Sequence, residues 1–299
     1  MSILSIRNVV KTYDTKVAVD HVSFEIPEGI IYGMLGPNGA GKTSLIRTIT
    51  TITRPDSGEI YFNGEKLQER HTEMIGYMPE ERGLYKKMKV GEQLVYLAQL
   101  KGLSLKDAKA SIDFWFTKFD IHDWYGKKIM DLSKGMQQKV QFIATVMHNP
   151  KLIILDEPFS GLDPINANLI EDEIRRLKAE GASIIFSTHR MEQVEGICDR
   201  IVLINQGKNV LEGDVVEIKN HYKENLFEVK YEGEISGDFE KFGNIRENLA
   251  NKLTIQCESS GVANELLKWM IQNGAIITSF NEILPTINNI FIRKVEGLI

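Results

Sequence analysis

The stretch Gly36-Pro37-Asn38-Gly39-Ala40-Gly41-Lys42-Thr43 follows the apolar run Ile30-Ile31-Tyr32-Gly33-Met34-Leu35 and precedes Ser44-Leu45-Ile46-Arg47, which reads as a helix start. The order is strand, loop, helix, and the loop has the spacing G-x-x-x-x-G-K-T. Glycines at 36, 39 and 41 put no Cβ in the way, so successive backbone N–H groups can curl around a polyphosphate at the positive end of a helix dipole. Lys42 is then placed to reach the β- and γ-phosphates, and the Thr43 hydroxyl to take a position on Mg²⁺. An ordinary glycine-rich turn would explain the glycines but not the Lys-Thr pair. Gly36, Pro37, Asn38, Gly39, Ala40, Gly41, Lys42, Thr43 and Ser44 are therefore the expected nucleotide cradle.

With 299 residues and 42% hydrophobic content, the chain is long enough for one large domain and a smaller one. No apolar run approaches the ~20 residues that cross a bilayer, and the start MSILSIRNVV is broken by Arg7, unlike a signal peptide. A cytoplasmic protein is expected. Cys198 and Cys257 form no CxxC or Cys/His cluster, and the six histidines show no HExxH spacing. A net charge of -5 argues against a generally basic nucleic-acid binder.

Two strands are expected at Ser5 to Val10 and Asp20 to Ile26, and another at Glu59 to Asn63 after the turn chemistry of Arg54-Pro55-Asp56-Ser57-Gly58. Ile75 to Met78 reads as a short strand. From Val90 to His148 the apolar spacing changes to helical, and the stripe Phe114-Trp115-Phe116-Phe119 reads as helix core. Strand character returns in the continuous apolar runs Lys151 to Asp156 and Ala182 to Ser187, with an amphipathic helix over Asn166 to Glu180 between them. That is a βαβ unit, so the core is expected to be a parallel sheet covered by helices on both faces. Arg200 to Asn205 and Lys208 to Leu211 read as a hairpin. The charged stretch 219–225 suggests a linker between a first domain of residues 1–218, with a helical region at 84–148, and a small α+β domain at 226–299, where three strands and a helix over Val262 to Gln272 are expected.

The run Leu152-Ile153-Ile154-Leu155 ends in Asp156-Glu157. A strand beside the one that carries the glycine loop would deliver Asp156 to Mg²⁺ and Glu157 toward the γ-phosphate, where a carboxylate can orient or deprotonate water. Leu132-Ser133-Lys134-Gly135-Met136, Ser160-Gly161-Leu162-Asp163 and Ser187-Thr188-His189 then follow in the motif order of a known family. Over roughly residues 3 to 217 the chain resembles the ATP-binding subunit of ATP-binding-cassette (ABC) transporters: the three segments are similar to its LSGGQ signature, its D-loop and its switch histidine. Tyr13 stands where that family stacks an aromatic on adenine. The resemblance implies an α/β, P-loop NTPase (RecA-like) core with an antiparallel β subdomain and a helical subdomain.

The resemblance also implies a mechanism in which two cassettes pair head to tail, each ATP lying between the glycine loop of one and the signature of the other. Ser133 and the Gly135 N–H would grip the γ-phosphate from across the interface. Lys42, Glu157 and His189 would be catalytic, Asp163 would organise the facing subunit, and Thr43, Asp156 and Glu80 would be the Mg²⁺ side. Having a single cradle and a single signature, the chain should pair with itself or a similar cassette, and dock on separate membrane permease subunits at the inner face of the cell membrane. The docking groove is expected near Glu80 to Leu100, including Glu81-Arg82-Gly83-Leu84-Tyr85. Two departures stand out: Glu80 replaces the family's glutamine, and Lys134 and Met136 replace signature Gly and Gln. The appended domain, with Leu284 to Phe291, is similar to bacterial exporter ATPases, so export is expected and no nucleic acid. A soluble cassette ATPase acting on ribosomes or DNA is the alternative; a guanine-specific NKxD is absent from the sequence.

Overall fold

The computed structural model describes residues 1–81, 83–234 and 238–298. Its described residues divide into two compact units, Met1–Asp214 and Val215–Ile299. In the first unit β1 (Ser2–Tyr13) and β2 (Lys16–Pro27) form a hairpin turned by Asp14 at φ 50°. After β3 (Ile31–Leu35) and α1 (Lys42–Ile49), β4 (Ser57–Phe62) and β5 (Glu65–Lys66) complete an antiparallel sheet in the order β2-β1-β4-β5. β6 (Ile75–Met78) leads to three helices, α2 (Val90–Leu100), α3 (Leu105–Phe119) and α4 (Lys134–Val146). The chain then returns through β7 (Leu152–Asp156), α5 (Pro164–Ala179), β8 (Ser183–Thr188), α6 (Glu192–Ile197), β9 (Arg200–Asn205) and β10 (Lys208–Asp214).

The second sheet has the order β10-β9-β3-β8-β7-β6, parallel except for β10. Every residue of β3, β7 and β8 is buried, as their unbroken apolar runs require of parallel strands covered on both faces. The order corrects one expectation: the strand that ends in Asp156 is not beside β3, because β8 lies between them. Apolar runs identify strands but carry no neighbour preference, so a βαβ crossover into the intervening position left no trace in the sequence. A single core joins Leu4 and Ile6 of the first sheet, Leu45, Ile46 and Ile49 of α1, and Met34 and Ile185 of the second. The α/β architecture, with an antiparallel and a helical subdomain around a parallel core, stands as expected.

Helix limits follow local chemistry. Ser104, Ser133 and Asp163 cap α3, α4 and α5, their side chains accepting from the backbone N–H groups of Asp107, Met136 and Asn166, and Pro164 occupies the first turn of α5. Trp115, Phe116 and Phe119 are buried, each worth about 1.5–3 kcal/mol of apolar burial, and Trp115 meets Phe142 edge-on at 6.0 Å. Phe114, expected with them in the core, is half exposed; the Arg176 guanidinium lies 5.9 Å from its ring. Glu173 of α5, nearly buried, accepts from Arg176 and pairs with Lys118 of α3 at 2.8 Å, so the helical region is tied to the core by a shared carboxylate.

The second unit starts earlier in the chain than the expected boundary, with α7 (Val215–His221), so part of 219–225 is helix rather than linker. β11 (Leu226–Glu232), β12 (Asn244–Leu249), β13 (Lys252–Gln256) and β14 (Ile276–Ile283) form an antiparallel sheet in the order β12-β13-β11-β14. α8 (Ser260–Gln272) contributes Ala263, Leu266 and Met270 to its core, and α9 (Ile287–Val295) ends it.

Candidate functional site

β3 ends at Leu35 and the chain turns through the glycine loop into α1, whose N-cap Gly41 offers no side chain, leaving first-turn N–H groups free for an anion. Gly36, Gly39 and Gly41 have φ of 150°, 77° and 109°. A Cβ on Gly36 would stand 2.1 Å from the Ile204 carbonyl, and one on Gly41 would stand 2.1 Å from that of Ala18, whereas Gly39 faces open space. Two of the three glycines are thus needed for the loop's approach to the protein's own backbone, and not only for access by a phosphate. The Ala40 carbonyl accepts from the N–H of Gly207, which fixes the loop from the other side.

Lys42, 7% exposed, donates from Nζ to the carbonyls of Gly36 at 2.6 Å and Pro37 at 3.2 Å. Burial lowers its pKa, and Glu157, Asp156 and Glu80 oppose that. Thr43 Oγ1 lies 3.4 Å from Asp156 Oδ2. Ser187 on the intervening β8 donates to Asp156 Oδ1 at 2.8 Å, and the next residue, Thr188, donates to Glu157 Oε2 at 3.1 Å. Glu157 Oε1 accepts from the His189 backbone N–H at 2.8 Å and lies 2.6 Å from His189 Nδ1. Glu157 itself sits at φ 52°, the left-handed region, which turns its side chain off the end of β7. Burial raises the Asp156 pKa, and the neighbouring carboxylates Glu157 and Glu80 add to this against the Ser187 hydrogen bond.

These residues open on a cleft of about 450 Å³ walled by Tyr13, Lys16, Ala18, residues 38–44, Glu80, Asp156 and Glu157. Tyr13 stands at its mouth, 37% exposed, with Lys11 Nζ 5.5 Å from the ring and anchored to Asp56 at 2.7 Å. Gly36 and Pro37 contribute carbonyls to Lys42, and His189 joins through Glu157. Ser133, Gly135 and Asp163 are not part of this wall. Ser133 and Lys134 are exposed at the start of α4, and Gly135 lies against Leu162 and Gly161. Lys16 and Ala18 went unassigned in the sequence, and Ser187 and Thr188 were named only as the residues leading into His189. A hydroxyl pair ending an apolar strand is the signal for the last two, whereas Lys16 and Ala18 arrive only through the β1–β2 hairpin.

The donor set suits Mg²⁺. Among the described residues no group of three or more His, Cys, Asp or Glu converges to hold a metal; the Thr43 hydroxyl and the Asp156 carboxylate, 3.4 Å apart, are the pair that would hold one together with phosphate and water.

A second cleft of about 450 Å³ is walled by Ile75, Tyr77, Leu97, Leu100, Gln141 and His148 among others. Gln141 Nε2 donates to the Pro79 carbonyl at 2.8 Å, while its Oε1 and both His148 ring nitrogens are buried without a partner. Burial, with the nearby Lys101 ammonium, pushes the His148 pKa down to about 4. Glu81, Gly83 and Tyr85 are exposed near this cleft, and Arg82 lies outside the described residues.

The ABC transporter family profile matches residues 19–160, and the profile of the ATP-binding protein DrrA1-3-like C-terminal domain matches residues 213–295. The ABC transporter ATP-binding protein YhaQ of Bacillus subtilis (strain 168) is 40% identical over 296 residues, 99% of each chain. The Nod factor export ATP-binding protein I of Burkholderia thailandensis (strain ATCC 700388 / DSM 13276 / CCUG 48851 / CIP 106301 / E264) is 34% identical over 213 residues, 70% of each. A solved structure described as the ATP-binding subunit of an ABC transporter superposes with a TM-score of 0.69 at 28% identity, covering 74% of this chain and 93% of its own. The chain therefore belongs to the ABC transporter family as one of its ATP-binding subunits, an ATPase with a DrrA-like C-terminal domain.

Proposed function

We propose that two copies of this chain, or one copy and a similar cassette, pair head to tail and hydrolyse ATP in shared clefts to drive export through separate membrane permease subunits. The observation that carries the reading is the position of the signature. Ser133 and Lys134 are exposed at the start of α4 and stand outside the cleft that holds Lys42 and Glu157, so they are available to a second molecule's triphosphate.

In this reading Tyr13 stacks on adenine, the N–H groups of residues 38–44 and Lys42 hold the phosphates, and Ser133 with the Gly135 N–H closes over the γ-phosphate from the partner. Asp163, the cap of α5, orders the facing loop. Thr43 and Asp156 would hold Mg²⁺, with Glu80 at the same wall, and the ion would supply neutralisation of phosphate charge. Glu157 accepts a proton from the attacking water, and His189, already on Oε1, aims that carboxylate. Breaking the γ-phosphate link removes the contact that joins the subunits.

The cleft walled by Leu97, Leu100 and Gln141 is the proposed seat of a permease segment, since its apolar walls and unpartnered polar atoms suit a helix that brings hydrogen-bonding groups. No helix among the described residues is long and apolar enough to cross a membrane, consistent with a subunit that sits at the cytoplasmic face beside the permease. The name of the Nod factor export relative supports the outward direction.

Glu157→Gln tests the pairing. The variant keeps the cleft's shape but loses the base, so it should trap an ATP-dependent dimer in gel filtration; a monomer with saturating Mg-ATP would refute the shared site.

A further inference from the structure

The charges that face the cleft do not cancel. Glu80, just past the end of β6, stands at its wall with Asp156 and Glu157, so three carboxylates oppose the ammonium groups of Lys42 and Lys16. Asp156 is 2% and Glu157 8% exposed, whereas Glu80 is exposed on its loop. Its charge nevertheless reaches both partners: it adds to the forces that raise Asp156 and to those that offset the burial of Lys42. It does so from a distance, because the carboxylates do not converge as a metal-holding group. Lys42 meanwhile donates to two loop carbonyls, which takes up part of its hydrogen-bonding capacity.

A triphosphate entering this field carries several negative charges of its own. We propose that Glu80 makes nucleotide binding depend on a divalent cation: its carboxylate opposes the metal-free triphosphate and favours the triphosphate–cation pair, so that the two ligands bind as a unit. This rests on reading the cleft as the ATP site, and it is independent of pairing, permease docking and hydrolysis. Reciprocity then follows, since a group that strengthens the cation's effect on nucleotide affinity must strengthen the nucleotide's effect on cation affinity by the same factor. One like charge across a cleft of this kind, in an effective dielectric of about 20 and partly screened by salt, changes affinity on the order of tenfold.

A fluorescent ATP analogue is titrated onto the full chain in EDTA and in saturating Mg²⁺, with wild type, Glu80→Gln and Glu80→Asp. The Gln variant should tighten metal-free binding on the order of tenfold, and the ratio of Kd without and with Mg²⁺ should fall by a similar factor. The Asp variant should keep most of the wild-type ratio. Electron paramagnetic resonance of Mn²⁺ on the protein–ADP complex should show weaker cation binding in Glu80→Gln. A Kd ratio equal in wild type and the Gln variant overturns the proposal while leaving the nucleotide site intact. Failure of wild type to bind the analogue in Mg²⁺, or binding unaffected by Lys42→Ala, removes the site and the proposal together.

Discussion

Replacing His148 by leucine should change how stability depends on pH. Both ring nitrogens of His148 are buried in a largely apolar wall with no well-formed hydrogen bond, the Ile75 carbonyl being the polar group nearest to helping the ring hold a proton, and burial with the Lys101 ammonium pushes the pKa down to about 4 from an ordinary 6.5. Between those two values the unfolded chain takes up a proton that the folded chain refuses, so stability falls as the pH drops through this window and levels off below about 4. The loss is roughly 2 kcal/mol at pH 5 and close to nothing at pH 7.5. At pH 7.5 His148→Leu should be close to wild type in stability, because it removes two buried nitrogens that make no well-formed hydrogen bond and only a weak approach to the Ile75 carbonyl. Its advantage should then grow by roughly 2 kcal/mol on going to pH 5. Urea unfolding followed by tryptophan fluorescence in a Trp269→Phe background reports on Trp115 and Trp124 of the first unit alone, and titrations common to both proteins cancel in the difference. Parallel pH curves for wild type and variant would refute the reasoning.

Gly41→Ala forces a methyl group against the Ala18 carbonyl at a φ of 109°, and should cost about 3 kcal/mol or more and abolish the thermal shift given by Mg-ATP; an unchanged melting temperature and shift would contradict it. Glu173→Ala removes the carboxylate shared by Lys118 and Arg176, leaving Arg176 its second partner Glu180, and should destabilise by about 1–3 kcal/mol in chemical denaturation, whereas Lys118→Ala leaves Glu173 paired with Arg176 and should cost less. Lys42→Ala should abolish ATP turnover, and unchanged phosphate release would remove its assignment to the phosphates.

What the sequence revealed depended on how local the physics was. The glycine loop, Asp156 and Glu157 were legible because a strand end, a helix start and a phosphate cradle are fixed by neighbours a few residues away. The order β3-β8-β7 was not, since nothing in three uniformly apolar runs says which lies in the middle. β12 escaped for a different reason: Asn244–Leu249 is an edge strand whose residues are nearly all exposed, so it shows no apolar alternation. The walls at Lys16 and Ala18 depend on a hairpin folding over the loop, a contact between residues more than twenty positions apart. Gly41 was expected in the phosphate cradle, and the close approach of the Ala18 carbonyl to it could not be read from the sequence.

The placement of β8 has a mechanical implication. Two consecutive hydroxyls on one strand, Ser187 and Thr188, each steady a different carboxylate, and the next peptide N–H steadies the second again. Asp156, the proposed cation seat, and Glu157, the proposed water base, therefore hang from a common rail. A slide of that rail would re-aim both carboxylates at once, because each hangs from it by its own hydrogen bond.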